Sequence, residues 1–359
     1  MPIDPTSICI RTEISIHQAI EVMDKGGLGI VLVVDDTQRL EDTVTDGDVR
    51  RAILANINLY EPVSALLASK SPTSYAKPIT APSNSDRATM LNTLKQHEIL
   101  HLPLVDEEQR VVALVTIAEF LPQSPAPMEA MIMAGGFGER LRPLTECTPK
   151  PMLPVGDRPL MESIIDGLRA AGIERVNISV HHQSKKITDH FGDGSNFGIN
   201  INYVTEDRPL GTAGALGIMD TPQETLLVIN GDILTQLDFR AMLKYHREHK
   251  SELTVAVQNY DLQVPYGVIE CDGPNVQRFI EKPVIKNFVN AGIYLLEPSV
   301  HPLIPNGEKF DMTDLIQRLL SQGRPVAAFP IHEYWLDIGR PEDYLEAQSN
   351  IKDPGQVTG

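Results

Sequence analysis

Two cations and a run of glycines share one short segment that begins at Ala134 and reads AGGFGERLRPLTECTPKPMLPV. Glycine and proline weaken helices and strand ladders alike, so this segment is not an ordinary core element. Bare backbone N–H groups approach phosphate oxygens without a side chain in the way. Arg140 and Lys150 add two fixed positive charges to the same loop system, and Arg142 offers a third. These residues predict a site for a phosphorylated small molecule.

The segment differs from two widespread nucleotide loops. No GK[ST] follows the glycines, so it is not a Walker A loop, and the spacing is not the GxGxxG of dinucleotide folds. A glycine-rich turn alone does not identify a phosphate site, and it is the two cations, Arg140 and Lys150, that favour one.

The residues around this loop predict how it is positioned. Apolar strand segments are MIMA at 131, VNISVH at 176, INYV at 201, LLVIN at 226, LTVAV at 253 and AGIYLL at 291. Helical stretches such as PLMESIIDGLRAAG lie between them. This alternation predicts an α/β, Rossmann-like domain with an open, mostly parallel central sheet. Ligands bind beyond the carboxyl ends of such strands, which is where the glycine loop would leave MIMA.

The first third of the chain contains a duplication. VVDDTQRLEDTVTDGDV, from Val33, matches LVDEEQRVVALVTIAEF, from Leu104, without gaps at an offset of 71 residues. Each copy predicts a strand, an acidic turn, a second strand and a helix entered at Thr45 or Thr116, with a further helical stretch upstream. Two such α+β units, each with one apolar face, are expected to pack against each other.

This duplicated region resembles a tandem pair of CBS repeats, at about residues 6–60 and 75–121. In that family a Thr or Ser, followed three residues later by Asp, holds the ribose of an adenine nucleotide. The matching positions are Thr45 with Asp48, and Thr116 with Glu119. The other interpretation is that both threonines are only helix N-caps with acids in the first turn. The sequence leaves both interpretations open.

The phrase GGFGERLRPLTECTPKPMLPV resembles the signature of the sugar-1-phosphate nucleotidyltransferases, GGxGxRLxPLTxxxPKPxLPV, and the resemblance covers about residues 129–351. Further landmarks follow in the family's order: EDRPLGTAGAL at 206, NGD at 230, YGVIE at 266, FIEKP at 279, VNAGIY at 289 and WLDIG at 335. The resemblance implies that a sugar-1-phosphate oxygen attacks the α-phosphate of an NTP and that pyrophosphate leaves.

The resemblance also implies roles for individual residues. Arg140 would grip the triphosphate, Lys150 would lie at the reacting phosphates, and Lys282 would hold the sugar phosphate. The implied NTP-binding residues are Ala134, Gly135, Gly136 and Gly138 in the first loop and Leu210, Gly211, Thr212 and Gly214 at the base. The implied sugar-binding residues are Gly267, Glu281 and Asn290.

Two aspartates predict a metal site. Asp232 in NGD and Asp337 in WLDIG each follow an apolar strand, and Asp232 is also implied in catalysis. Two hard oxygen ligands together with substrate phosphates suit Mg²⁺, which keeps few protein ligands. An Asp after a strand is otherwise often a turn or cap residue. The family order of the landmarks favours the Mg²⁺ site.

These patterns divide the chain into a CBS pair over 1–121, a proline-rich linker over 122–128, a transferase domain over 129–351 and a tail over 352–359. The net charge of −17 argues against sequence-independent binding to nucleic acid. Without a long apolar run, a membrane span is not expected. Three scattered cysteines fit a cytoplasmic protein. A homodimer is expected, because CBS pairs resemble modules that associate face to face.

The substrates are less defined than the reaction. The order of the two domains resembles the glucosamine-1-phosphate guanylyltransferases of bacterial legionaminic acid synthesis, which implies glucosamine-1-phosphate as the sugar substrate. This order and LGTAGA favour GTP. A mannose- or heptose-1-phosphate guanylyltransferase, or a thymidylyl- or uridylyltransferase, is the alternative. From a different class, a regulatory nucleotide-sensing protein with an inactive transferase domain is a second alternative.

Overall fold

The computed structural model describes residues 5–70, 78–120 and 127–352. Most of the predicted linker, residues 122–126, and nearly all of the predicted tail lie outside these ranges. The chain separates into two compact units, Met1–Ser124 and Pro125–Gly359. None of the described helices has the length and apolarity needed to cross a membrane.

The first unit contains two small sheets, one for each repeat. The strands of the first sheet are β1 (Cys9–Ile10), β2 (Ile30–Val34) and β3 (Leu40–Thr45), in that order. Those of the second are β4 (Ala81–Pro82), β5 (His101–Val105) and β6 (Val111–Thr116). In both sheets the first pair is parallel and the second is antiparallel. The duplication in the sequence is therefore a duplication of topology.

Within the described residues of this unit, four helices accompany these sheets: α1 (Ile16–Gly26), α2 (Asp46–Leu54), α3 (Val63–Ser69) and α4 (Arg87–Gln96). Helix α1 begins with a reciprocal capping box between Ser15 and Gln18 and ends at Gly27, whose φ of 62° suits glycine. The helix predicted to begin after Thr116 is a 3₁₀ turn, Ile117–Glu119, as far as the described residues extend.

The two repeats are joined by a symmetric pair of backbone hydrogen bonds. The N–H of Leu40 donates to Gln109 O at 3.0 Å, and the N–H of Val111 donates to Gln38 O at 3.1 Å. Each donor and each acceptor is related to its counterpart by the offset of 71 residues. An apolar cluster that includes Leu32 from one repeat and Leu114 from the other supports this contact. The repeats thus pack around a local two-fold axis.

The second unit is built on a seven-stranded sheet. Its strands, in spatial order, are β11 (Asn200–Thr205), β10 (Arg175–Val180), β7 (Met128–Met133), β12 (Thr225–Asn230), β17 (Val284–Leu296), β14 (Leu253–Gln263) and β18 (Val326–Ile331). Four of the six pairings are parallel, and β17 is antiparallel to both of its neighbours. The predicted α/β fold with a mostly parallel sheet is confirmed, and each of the six predicted strand segments overlaps a strand, with only Ala134 and His181 lying one residue beyond the strand end.

The remaining strands form three short pairs: β8 (Pro154–Val155) with β9 (Arg158–Pro159), β13 (Ile233–Thr235) with β19 (Trp335–Asp337), and β15 (Val268–Asp272) with β16 (Asn275–Ile280). The helices are α5 (Leu160–Ala170), α6 (Ser184–Phe191), α7 (Gly211–Gly214), α8 (Phe239–Glu248), α9 (Met312–Ser321) and α10 (Pro341–Lys352). Apolar stripes on the longer helices cover the sheet in two large clusters, which fix the strand ends that the site uses.

Candidate active site

The glycine loop leaves the carboxyl end of β7, which lies between two parallel neighbours, β10 and β12. Its first residue is anchored at once, because the N–H of Ala134 donates to the backbone oxygen of Ser179 at 3.2 Å and to its Oγ at 3.1 Å. The loop therefore begins from a fixed point at the edge where such sheets bind ligands.

Two of its glycines are required by close contacts. A Cβ on Gly135 would lie 2.5 Å from Glu206 Oε1, and one on Gly138 would lie 2.9 Å from Thr145 Cγ2. Gly138 also has a φ of 63°. Among the described residues, no atom beyond its chain neighbours lies within 4 Å of such a Cβ on Gly136, so its backbone faces open space there. This arrangement leaves room for phosphate oxygens beside the loop.

Lys150 and Asp232 form an ion pair that joins the far end of this loop to the end of β12. Lys150 begins a 3₁₀ turn, Lys150–Met152, and Asp232 lies between β12 and β13. Both side chains are mostly shielded, at 11% and 24% exposure. Partial shielding strengthens the attraction between the two charges.

Asp337 is brought beside this pair by the small β13–β19 sheet. Ile233 is paired with Asp337 in register, and the N–H of Ile338 donates to Asp232 O at 3.1 Å. Arg140 lies close as well, since a Cβ on Gly339 would be 3.7 Å from Arg140 Nη1 and 3.8 Å from Asp337 Oδ1. Four predicted residues, far apart in sequence, thus meet at one place.

The pKa of Asp337 is raised above its ordinary value. The largest cause is loss of water around the carboxylate, although the side chain still reaches solvent, and the nearby Asp232 charge adds to it. Lys150 and Arg140 act in the opposite direction but do not cancel the effect. Two carboxylates that repel each other in a partly desolvated site are stabilised by a hard divalent cation that binds both. Asp232 and Asp337 therefore fit Mg²⁺.

The loop predicted to read the base is held by the segment before α9. The N–H of Thr212 donates to Asp311 Oδ1 at 2.9 Å, and the N–H of Met312 donates to Thr212 Oγ1 at 2.9 Å. Gly211, at φ 84°, leaves no room for a Cβ, which would lie 2.5 Å from Asp311 Oδ1. Leu210 and Gly214 are buried in the same turn. The sequence did not predict the role of Asp311, because it lies about a hundred residues away in the chain.

Glu206 is a second residue that the sequence analysis missed. Its side chain is buried, at 6% exposure, and Oε2 accepts the N–H of Leu210 at 3.0 Å. Its Oε1 faces the backbone of Gly135. One carboxylate therefore links the phosphate loop to the base loop. The signal was present, since Glu206 opens the phrase EDRPLGTAGAL.

The predicted sugar residues lie around the β15–β16 hairpin and on β17. Gly267 precedes β15, and a Cβ there would lie 2.6 Å from Phe279 Cζ and 3.1 Å from Glu281 Oε2. Asn290 donates to the Tyr294 hydroxyl at 2.7 Å, and its Oδ1 accepts the N–H of Gly292 at 3.0 Å.

Lys282 is exposed at a φ of 44° and forms no hydrogen bond or ion pair with any residue in the described ranges. Its role in holding the sugar phosphate stays a prediction.

In the first unit, both predicted ligand pairs are used as helix caps. Thr45 and Asp48 form a reciprocal capping box at α2, with Thr45 Oγ1 donating to Asp48 Oδ2 at 2.8 Å, and Arg51 also binds Asp48. Thr116 and Glu119 form the equivalent box. The cap interpretation therefore accounts for these residues in the structure, and a nucleotide stays a prediction.

Comparisons with known proteins assign the family. Residues 129–354 match the model of the Nucleotidyl transferase family, and residues 3–55 and 72–123 match the CBS domain model. The chain belongs to the nucleotidyl transferase family and carries a pair of CBS domains ahead of the transferase region.

Two curated relatives show the range of named activities. The chain is 35% identical over 241 residues to a UTP–glucose-1-phosphate uridylyltransferase from Synechocystis, covering 61% of this chain and 62% of the relative. It is 32% identical over 231 residues to a mannose-1-phosphate guanylyltransferase from Mycobacterium tuberculosis, covering 62% and 64%. The chain thus spans less than two thirds of the length of these relatives.

A solved structure supports the fold. It is of a Bacillus anthracis protein described as a candidate glucose-1-phosphate thymidylyltransferase. The likeness has a TM-score of 0.52 at 26% identity and covers 63% of this chain and 96% of that one.

Replacing Asp337 should have opposite effects on the stability of the metal-free protein and on its stabilisation by Mg²⁺. Because its pKa is raised on folding, Asp337 favours the folded state below its unfolded pKa and loses that contribution as pH rises through its folded pKa. Asp337→Asn is therefore expected to raise the melting temperature at pH 7 without metal, by at most about 2 °C since the group reaches solvent. The gain should vanish near pH 3, and stabilisation by Mg²⁺ should be lost. A lower melting temperature at pH 7 would contradict this account.

Proposed function

We propose that this chain transfers a nucleotidyl group from an NTP to a sugar-1-phosphate and releases pyrophosphate. The observation that carries the proposal is the meeting of Arg140, Lys150, Asp232 and Asp337 beside a glycine loop at the carboxyl edge of the sheet. A phosphorylated substrate needs cations and free N–H groups, and a divalent cation needs carboxylates. This cluster supplies both.

In the reaction, an oxygen of the sugar phosphate bonds to the α-phosphorus as the bond to the leaving pyrophosphate breaks. Negative charge collects on the nonbridging and leaving oxygens, so positioning and positive charge supply most of the catalysis. The backbone of the glycine loop and Arg140 bind the triphosphate. Lys150, already held at the end of β12 by Asp232, places its charge at the reacting phosphates.

Asp232 and Asp337 are the residues that would hold Mg²⁺. When bound, the cation would neutralise phosphate oxygens during the transfer. The β13–β19 pairing fixes the backbone of both carboxylates in advance. Little reorganisation is then needed when substrates bind.

On the acceptor side, we assign the sugar phosphate to Lys282 and the sugar hydroxyls to Gly267, Glu281 and Asn290. Lys282 is exposed and available to an anion. Gly267 lets Glu281 approach its backbone, and Asn290 is fixed by Tyr294 and Gly292. Fixed polar groups around an open strand pair suit a hydroxyl-rich ligand.

For the nucleotide we favour GTP, and Glu206 supports this choice. A carboxylate only accepts hydrogen bonds, and guanine presents two adjacent donors, N1–H and the 2-amino group. Uracil and thymine present a single N–H between two carbonyl oxygens, which a carboxylate repels. The relative from Mycobacterium tuberculosis is named as a guanylyltransferase, whereas the one from Synechocystis is named for UTP.

For the sugar we favour glucosamine-1-phosphate, on the order of the two domains, as in the guanylyltransferases of legionaminic acid synthesis. Mannose-1-phosphate is the second candidate, because it is named for the relative from Mycobacterium tuberculosis. We assign the CBS pair to an adenine nucleotide and expect the chain to form a homodimer.

The transfer reaction itself can be measured directly. Pyrophosphate release is measured with Mg²⁺ for GTP, ATP, CTP, UTP and dTTP against glucosamine-, mannose- and glucose-1-phosphates. GTP with glucosamine-1-phosphate should give the highest rate. Lys150→Met should lower kcat by at least about 100-fold, because it removes a charge at the transferred phosphate. The exposed Lys185, changed to Met, is the control and should be neutral.

If no pair of NTP and sugar-1-phosphate released pyrophosphate, or if the Lys150→Met variant were fully active, the proposed transferase activity would be contradicted. A high rate with another pair would retain the chemistry and replace the assigned substrates.

Base selection is tested by changing Glu206. Glu206→Gln keeps the size and one acceptor oxygen but introduces a donor amide beside Gly135. The kcat/KM for GTP should fall roughly 10- to 100-fold while that for UTP rises or stays unchanged, because selectivity comes from pairing buried polar groups. An unchanged ratio of GTP to UTP would remove Glu206 from base recognition.

Nucleotide binding by the CBS pair is tested by thermal melting. ATP or AMP should raise the melting temperature of the wild-type chain. In Thr45→Ala, the cap is lost at a cost of about 0.5–2 kcal/mol, and the shift on adding nucleotide should shrink. Thr45→Ser retains a hydroxyl, so it should keep both the helix cap and the wild-type shift in melting temperature on adding nucleotide. An equal nucleotide shift in all three proteins would leave Thr45 with a capping role only.

A further inference from the structure

Lys150 stands at the end of a short segment, residues 145–150, which we name the lysine segment. Its first residue is anchored, because Thr145 is 3% exposed and its Oγ1 donates to a carbonyl of the glycine loop at 2.7 Å. Its last residue is anchored by the ion pair with the end of β12. Between them, Glu146 and Cys147 are exposed. Exposed backbone keeps one conformation only where other groups hold it.

Two side chains at the start of α6 hold this middle part. Gln183 Nε2 donates to the backbone oxygen of Glu146 at 3.0 Å, and Lys186 Nζ donates to that of Cys147. The contacts bridge 37 and 39 residues of the chain. Each contact alone competes with water, but together they fix two successive peptide planes. The lysine segment is thus tied to a helix at two neighbouring points.

The chain between these contacts and Lys150 is stiff. Thr148 precedes Pro149, which restricts Thr148 to extended conformations. The ring of Pro149 fixes its φ, which is −57°. Few soft dihedrals therefore separate the Cys147 carbonyl from Lys150. Because the connection is stiff, a displacement of this carbonyl moves the lysine as well.

The Gln183 amide is oriented for the contact with the lysine segment. Its nitrogen lies 3.1 Å from His182 Nε2 as well as 3.0 Å from Glu146 O. Its Oε1 is shielded from solvent and accepts no hydrogen bond from any residue in the described ranges, although shielded oxygens are normally satisfied. Turning the amide over would bring two oxygens together and break the bond to Glu146. The contact with the segment is therefore kept at the expense of Oε1.

The backbone at Gln183 is also unusual. Its φ of 53° lies in the left-handed region, which residues other than glycine seldom adopt. Such conformations persist where the surrounding contacts enforce them, and they are concentrated at functional sites. The turn between β10 and α6 therefore has a backbone conformation that a simple connection would not need.

The same stretch of chain holds the glycine loop. The start of that loop bonds to Ser179 at the end of β10. Phe137, within the loop, packs edge-on against His181 with ring centroids 5.5 Å apart, and its ring lies 5.3 Å from that of His182. Because β10 and β7 are parallel neighbours, residues 179–186 run beside the loop that leaves β7. They contact both the glycine loop and the lysine segment.

We propose that Gln183 and Lys186 are positioning residues that fix where Lys150 meets the reacting phosphates. This role rests on the proposed function, because it presupposes the transfer step. When Lys150 turns towards phosphate oxygens, its contact with Asp232 loosens and the anchor at that end weakens. The two contacts from α6 use the backbone of the segment and remain. A charge that is already in place lowers the barrier more than one that must be ordered during the reaction.

Steady-state kinetics of the full chain, with the NTP and sugar-1-phosphate that give the highest rate, test this role. Gln183→Met and Lys186→Met keep most of the side-chain length but remove the donors. Each should lower kcat about 10-fold and change the KM of both substrates less than about 3-fold, because positioning acts on the transition state. Lys186→Arg keeps a charged donor and should retain at least about half of the wild-type kcat. Lys185→Met removes the same charge one residue away, at an exposed position, and should be neutral.

A second comparison separates positioning from a purely structural role. In a Lys150→Met background, Lys186→Met should lower kcat by less than about 2-fold, because a residue that acts through Lys150 loses its effect when that charge is absent. A variant that only loosened the fold would lower the melting temperature and cost the same kcat in both backgrounds.

The outcomes distinguish this role from the proposed function. If no pair of substrates releases pyrophosphate, both fail. If the wild type is active and Lys150→Met is impaired, but Gln183→Met and Lys186→Met keep the wild-type kcat, only the positioning role is overturned. An equal loss of kcat from Lys186→Met in both backgrounds would also overturn it.

Discussion

The ion pair between Lys150 and Asp232 is the contact on which the organisation of the site depends. It joins residues 82 positions apart, one at the end of the glycine loop and one at the end of β12. Because β7 and β12 are adjacent parallel strands, the sheet brings both segments to the same edge. Without this register, the cation would be an ordinary surface lysine and the aspartate a turn residue.

The rest of the site is arranged around that pair at a cost to stability. Loss of water around Asp337 and, second, the nearby Asp232 charge raise the pKa of Asp337, and Glu206 is buried between two loops. Such groups destabilise a folded chain unless they have partners. They are retained where function needs charge in a fixed place, and substrates or a cation are the partners that offset this cost.

The sequence predicted those features of the fold and site that local residue patterns and the order of the motifs determine. Apolar segments located six of the seven strands of the central sheet, all except β18, and the offset of 71 residues anticipated the symmetric contact of the repeats. It did not predict that β17 is antiparallel, or that Asp311 anchors the base loop, because both depend on long-range packing. Glu206 was missed because burial of a carboxylate is a tertiary property.

A crystal structure with Mn²⁺ and a nonhydrolysable GTP analogue, using the anomalous signal of manganese, would show whether the residues around the Lys150–Asp232 pair bind a metal ion and the nucleotide phosphates. We expect a manganese peak in contact with both Asp232 and Asp337, with Lys150 turned towards phosphate oxygens. Phosphates bound elsewhere, with the Lys150–Asp232 pair intact and no peak at the two aspartates, would contradict it.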